Sequence, residues 1–136
     1  MSNFLINFGT LIPGTPVTLT STLTVSAGGA GGYKVTTRES GSLQTSGGQS
    51  IPDATCDTGT CTESAAGVWS QATTYGFGYN MSGQDIPSDF INSTYFRHFA
   101  NAGLSQTDQI VMINANVGRS RTATITYKVN ISGVQG

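Results

Sequence analysis

Residues 121 to 131 read RTATITYKVNI, a strict alternation in which Ala123, Ile125, Tyr127, Val129 and Ile131 face one way and Thr122, Thr124, Thr126, Lys128 and Asn130 the other. A period of two over this length is the signature of an antiparallel strand with one buried face and one wet, Thr-rich face. The same pattern recurs in PVTLTSTLTVS, where Val17, Leu19, Leu23 and Val25 alternate with Thr18, Thr20, Thr22 and Thr24. Both ends of the chain are therefore expected to be sheet.

Composition agrees. The 136 residues hold 20 Thr, 15 Ser and 18 Gly against 13 charged side chains, a balance of half-wet strand formers and turn formers. This length suits one domain over 1–136 with a sandwich-sized core that needs no cofactor or metal. The expected architecture is all-β, an antiparallel β-sandwich of immunoglobulin-like or jelly-roll-like type with one long loop and at most a short helix. A net charge of −1, with only Arg119 and Arg121 close together among the basic residues, excludes the clustered cations that bind nucleic acid. No stretch approaches the roughly 20 apolar residues that span a bilayer.

Between the two ladders the chain reads as short elements. Phe4, Ile6 and Phe8 alternate with Leu5 and Asn7 as a first strand, and Pro13-Gly14 turns the chain into the second. Tyr33, Val35 and Thr37 begin a third strand, expected to pair with the second as a hairpin across the glycines at 28–32. Residues 40–66 form a long surface loop of Ser, Gly, Thr and Asp, with Leu43 and Ile51 as its large aliphatic anchors. Tyr75-Gly76-Phe77-Gly78-Tyr79 alternates rings with glycines, which leaves room for a neighbouring backbone to approach closely. The stretch Ile86 to Phe99 fits a helical turn or an irregular strand, and Asp108 to Asn116 reads as the strand before the last.

Candidate chemistry is sparse. Cys56 and Cys61, with four residues between them including Gly59, are expected to form a disulfide that braces the long loop, which implies an oxidising compartment. Zinc is excluded because His98 is the only histidine available to join them. His98 sits between Phe96 and Phe99 without a Gly-x-Ser-x-Gly elbow, so it reads as part of an aromatic cluster and not as a catalytic base. Asp85 and Asp89 flank Pro87 and read as turn or cap residues instead of a glycosidase pair. Asp53, Asp57 and Glu63 are the candidate oxygen ligands for Ca²⁺, though they match no EF-hand spacing and solvated loop acids are the plainer reading. Trp69, Tyr75, Phe77 and Tyr79 are either a sugar-stacking ligand platform or core. The sequons at Asn80, Asn92 and Asn130 are those expected by chance in a Ser/Thr-rich chain.

The NFGTLIPGTPVT opening, the Thr ladder, the GYKVT return, the YGFGY centre and the GRSRTATITYKVNISGVQG ending together resemble uncharacterised bacterial secreted cell-surface β domains. That resemblance implies a signal peptide, export, a sandwich without established activity, and one further Thr/Tyr-rich strand after the final ladder. MSNFLINFGTLIPG is not itself a secretion signal, so the leader is expected to be already removed or the chain to be a piece of something larger. With the further strand missing, one sheet is expected to expose an edge beside an apolar face. Pilin-like filaments cover such an edge with a strand donated by a neighbour. The expected function is thus a non-enzymatic subunit of an extracellular surface filament. Copies of itself are the partners, residues 1–10 with Phe4, Ile6 and Phe8 the donated strand, and Ile125, Tyr127, Val129 and Ile131 the acceptor face. The alternatives are a carbohydrate- or surface-binding module of a larger secreted protein and a viral coat subunit.

Overall fold

The computed structural model describes residues 8–25, 32–44, 48–115 and 121–133; Phe4, Ile6 and Arg119 lie outside them. Strands β1 (Val17–Val25) and β2 (Tyr33–Thr37) open the fold. Four short strands and one long one follow: β3 (Leu43–Gln44), β4 (Ser50–Ile51), β5 (Gly67–Val68), β6 (Gly76–Gly83) and β7 (Tyr95–Phe96). β8 (Gln109–Asn114) and β9 (Arg121–Asn130) close it, and a single 3-10 turn at Ala102–Leu104 is the only helical element among the described residues. The chain is all-β, with antiparallel pairing throughout its ladders.

The alternation at 121–131 does form the expected strand, and it takes the middle of the main sheet. β1 covers one edge of β9, from Val17 opposite Val129 to Val25 opposite Arg121. β6 covers the other, from Gly76 opposite Asn130 to Gly83 opposite Ala123. The expectation that this strand stands beside an open edge is therefore corrected, since both its edges are hydrogen-bonded within the chain. The hairpin expected between β1 and β2 also does not form, because β2 pairs with β8 in a second sheet. β1 and β2 thus belong to different sheets, and their inward apolar residues, Leu23 and Val35 among them, pack against the shared core. Pairing the first long strand with the last and the second with the one before it is the order of a folded ribbon, as in jelly rolls, with corners where strands change sheet.

The core lies where these sheets face each other. Phe77, Tyr79 and Met81 from β6 meet Ala123, Ile125 and Val129 from β9, and Val111 and Met112 of β8 close over them with Phe90 and Phe99. Phe99 is the hub of the rings, stacked on Tyr79 at 4.2 Å and lying 5.5 Å from Phe77 and 6.1 Å from Tyr127. Before β1, Thr15 N donates to Ile12 O around Pro13-Gly14, with Gly14 at φ 73°, the arrangement a Pro-Gly turn requires.

The outer face of the main sheet departs from expectation. Thr18, Thr20, Thr22, Thr24 and Thr122 are exposed, but Lys128 and Asn130 are buried beneath the excursion that precedes β6. Asn130 Nδ2 donates to Ala72 O at 2.9 Å and Thr74 O at 2.8 Å, and Asn80 Nδ2 donates to Asn92 O and Tyr95 O. Buried amides with these partners hold the excursion down and leave the sequons at 80 and 130 inaccessible. The glycines of the aromatic run make the close approach: a Cβ on Gly78 would meet Arg97 O at 2.6 Å, and one on Gly76 would meet Ala54 Cα at 2.8 Å.

One corner of the ribbon is tied by Asp85, at φ 62° in the turn after β6. Arg121 of β9 holds it with two hydrogen bonds of 2.8 and 2.9 Å, Asn114 of β8 donates to it at 3.2 Å, and Tyr33 of β2 donates to its Oδ2. One carboxylate thus links both sheets, and these donors, Arg121 first, hold its pKa well below the usual carboxylate range. Stability from this lock is present above the ordinary carboxylate pKa and is lost as acid titrates the folded group. Thermal melts followed by circular dichroism are expected to show a lower Tm for Asp85→Asn at neutral pH. The difference from the parent is expected to shrink as the pH falls below the carboxylate range.

Candidate functional site

Two features stand apart from the packed core: a braced cluster on the outer face of the main sheet, and a cleft between the sheets. The cluster is built from the long loop. Cys56 and Cys61 form the expected disulfide, with Cα atoms 5.7 Å apart. With Ala54, Trp69 and Phe96 they make a second small core. Residues 40–66 are thus more than a surface loop, because part of the excursion supplies its own apolar interior. Asp57 shapes the next turn. Burial pushes its pKa up, but Ser70 N and Oγ, Gln71 N and Thr74 Oγ1 all donate to it and bring the balance below the ordinary value.

Lys128 passes from β9 into this cluster. Its Nζ donates to Trp69 O at 2.9 Å and lies 4.6 Å from the Trp69 ring centre and 5.1 Å from that of Phe96. Burial lowers the pKa of the ammonium, and the Asp57 carboxylate opposes that shift. The ring contacts replace part of the lost hydration. Lysine at this position reads as wet from the alternation alone, and no signal in its neighbours marks it as buried.

The proposed ligand platform does not exist as a surface. Trp69 and Tyr79 are 1% and 0% exposed and Phe77 is buried, so of the four rings only Tyr75 reaches solvent. The rings alternate with glycine because the close backbone approach buries them. The Ca²⁺ candidates are likewise dispersed: Asp57 serves the turn, Asp53 accepts from Asn101 Nδ2 at 3.3 Å, and Glu63 lies 3.6 Å from His98 Nε2. Among the described residues no group of three or more acidic, His or Cys side chains is arranged to hold a metal. Asp89 is engaged bidentately by Arg97 at 2.6 and 2.8 Å, with the guanidinium 4.8 Å above the Phe90 ring. His98 Nδ1 donates to Phe99 O at 2.8 Å and stands 3.9 Å from Asp53, with no hydroxyl nucleophile hydrogen-bonded to the ring among the described residues.

The cleft, of about 630 Å³, opens between β1 and β2. Leu23 of β1 and Val35 of β2 form its lips, and Phe77, Phe99, Ile125 and Tyr127 form its floor. At one end the lining turns polar, with Thr37, Arg38, Glu39 and Asp108. Of the proposed acceptor face, Ile125 and Tyr127 reach the cleft, whereas Val129 and Ile131 are covered by the chain's own core. Phe8 is the described residue of the proposed donor strand, half-buried with its ring centre 6.2 Å from that of Phe77 in an edge-to-face contact.

The edges beside the cleft matter as much as its walls. In the main sheet β1 is terminal, with β9 as its hydrogen-bonded neighbour, and β2 has β8 as its neighbour in the other. By contrast, β6 is capped on its far edge, where Tyr79 and Arg97 exchange hydrogen bonds of 2.8 and 2.9 Å and Ala54 N donates to Phe77 O. Among the described residues, β1 and β2 beside the cleft thus each have one hydrogen-bonded strand neighbour, as β8 does on the far side of β2. Comparison with known protein families, with curated proteins and with solved structures finds no match for this chain.

Because the only tryptophan sits in the braced cluster, its fluorescence reports on the disulfide. Denaturant titrations with and without reductant are expected to differ by about 2 kcal/mol, the loop-closure value for so short a bridge. Trp69 emission is expected to move to lower denaturant on reduction.

Proposed function

We propose that this chain is a non-enzymatic structural subunit of an extracellular filament, assembled when a strand of one copy enters the cleft of the next. The observation that carries the reading is the cleft itself: an apolar slot flanked by β1 and β2, each with one hydrogen-bonded neighbour among the described residues. Such an edge beside an apolar opening is a site for strand addition, in which main-chain hydrogen bonds give affinity and alternate side chains fill the slot. The alternating, uncharged segment Phe4-Ile6-Phe8 is the proposed occupant. Phe8 packs edge-to-face on Phe77, one of the residues lining the cleft, and the Pro13-Gly14 turn lies between Phe8 and β1.

Relative to the sequence reading, the acceptor changes. The incoming strand is placed along β1, over Leu23, Ile125 and Tyr127, and not beside β9, whose edges are filled. A head-to-tail contact of this kind extends into an open fibre when its rotation does not close. The disulfide and the Thr-rich outer face suit an exported surface protein, as the resemblance to bacterial cell-surface domains implies. The burial of Trp69 and Tyr79 weighs against the carbohydrate-binding alternative.

Removal of residues 1–9 is expected to abolish assembly, seen as a shift from fibres to monomers in electron microscopy and light scattering. Leu23→Arg, which places a charge at the lip, is expected to do the same while the far-UV signal of the sheets is retained. Fibres that persist in both variants would overturn the reading, and closed shells in place of fibres would favour a coat subunit.

A further inference from the structure

The sequons at Asn80, Asn92 and Asn130 play no part in strand capture. A Ser/Thr-rich composition accounts for their number, but the fold sets one of them apart from the other two. Asn80 and Asn130 are 3% and 1% exposed, and the Nδ2 group of each donates to two main-chain carbonyls, so both of its hydrogens are committed. Asn92, Ser93 and Thr94 are all exposed, in the turn that leads into β7.

The turn holds the Asn92 side chain by its oxygen. Thr94 N and Thr94 Oγ1 both donate to Asn92 Oδ1, at 2.9 and 2.6 Å, closing an Asx turn. Other elements fix the main chain beneath it: Asn80 Nδ2 and Tyr95 N donate to Asn92 O at 2.9 and 3.2 Å, and Trp69 N donates to Thr94 O at 2.8 Å. With Oδ1 engaged by Thr94, no acceptor among the described residues takes a hydrogen bond from Asn92 Nδ2. Replacing one Nδ2 hydrogen therefore breaks no hydrogen bond of the fold. The two bonds to Oδ1 survive as well, because a substituted amide keeps its carbonyl oxygen. The hydroxyl that a sequon demands two residues on is thus hydrogen-bonded to the acceptor amide itself.

We propose that Asn92 is the attachment site of an N-linked glycan, presented by this Asx turn, and that Asn80 and Asn130 carry none. The donor is a saccharide joined at its anomeric carbon to a lipid diphosphate. The anomeric C–O bond breaks with its electron pair leaving on the diphosphate, a bond forms from that carbon to Asn92 Nδ2, and the displaced amide proton passes to the transferase. The glycan stands beside Ile91, an apolar side chain 68% exposed. No residue of the stretch 91–95 lines the cleft, so the slot stays open to a strand. The inference rests on the export contained in the proposed function and not on the assembly.

The full chain is isolated from the cells that make it and its peptides are read by mass spectrometry for a saccharide on each of the three asparagines. The expected result is a saccharide on Asn92 in most copies and none on Asn80 or Asn130. Thr94→Ala is expected to abolish it, and Thr94→Ser, which keeps the hydroxyl, to retain it, with the far-UV signal of both variants matching that of the parent. A saccharide that persists in Thr94→Ala, or one found on Asn80 or Asn130, overturns the assignment. A bare Asn92 on chain recovered outside the cell overturns the site alone, whereas a bare chain confined to the cytoplasm overturns the export it rests on and the site with it. Electron microscopy of the same material keeps the two readings apart: a chain that carries the glycan and forms no fibres sustains the site and overturns strand capture.

Discussion

Strand β9 is hydrogen-bonded along both edges and covered on both faces over its last turn of alternation, and the rest of the molecule is arranged around that fact. Its inner residues Ala123, Ile125 and Val129 set the register that brings Phe77, Tyr79 and Met81 into the core from β6. Its outer residues Lys128 and Asn130 carry the hydrogen bonds that fasten the excursion through Trp69, Ala72 and Thr74. Burying an ammonium and an amide is costly unless partners are supplied. Here main-chain carbonyls and two aromatic rings supply them, so one strand organises two separate apolar interiors.

Much of the fold was legible because alternation is a local signal. The Thr ladders identified β1 and β9, the Pro-Gly pair identified the turn before β1, and the paired cysteines identified the brace. Partnership between strands is not local. The run of glycines after Val25 suggested a hairpin, but β1 pairs with β9 and β2 with β8, partners far along the chain. The same limit explains Lys128, whose cover comes from residues about 60 positions away in the chain. The aromatic–glycine alternation was read correctly as a place of close approach, yet which backbone would approach, Arg97 and Ala54, was beyond any sequence pattern.

The candidate site was only half legible. Ile125 and Tyr127 were visible as an apolar face, but the cleft they floor depends on how far β1 and β2 diverge. Glu39 drew no attention in the sequence because a lone acid at the end of a strand is ordinarily solvated. It becomes unusual only in the fold, where both its carboxyl oxygens are buried with no hydrogen-bond partner among the described residues. Of the acids that did stand out, Asp57, Asp85 and Asp89 serve turns and ion pairs that hold the scaffold.

The antiparallel pairing of β1 with β9 also has a mechanical consequence. The chain enters β1 at Val17 and leaves β9 at Asn130, and these ends lie together because Val17 pairs with Val129. Tension applied through the segments outside them would reach the ladder in a peeling direction, loading one pair of hydrogen bonds at a time, starting at Gly14 N to Ile131 O. A strand lying lengthwise along the outer edge of β1 would instead meet tension in shear, with many hydrogen bonds loaded at once. The disulfide, set in the excursion on the outer face, lies off both paths. Resistance to pulling in such a molecule would come from the strand added to it and not from its own covalent brace.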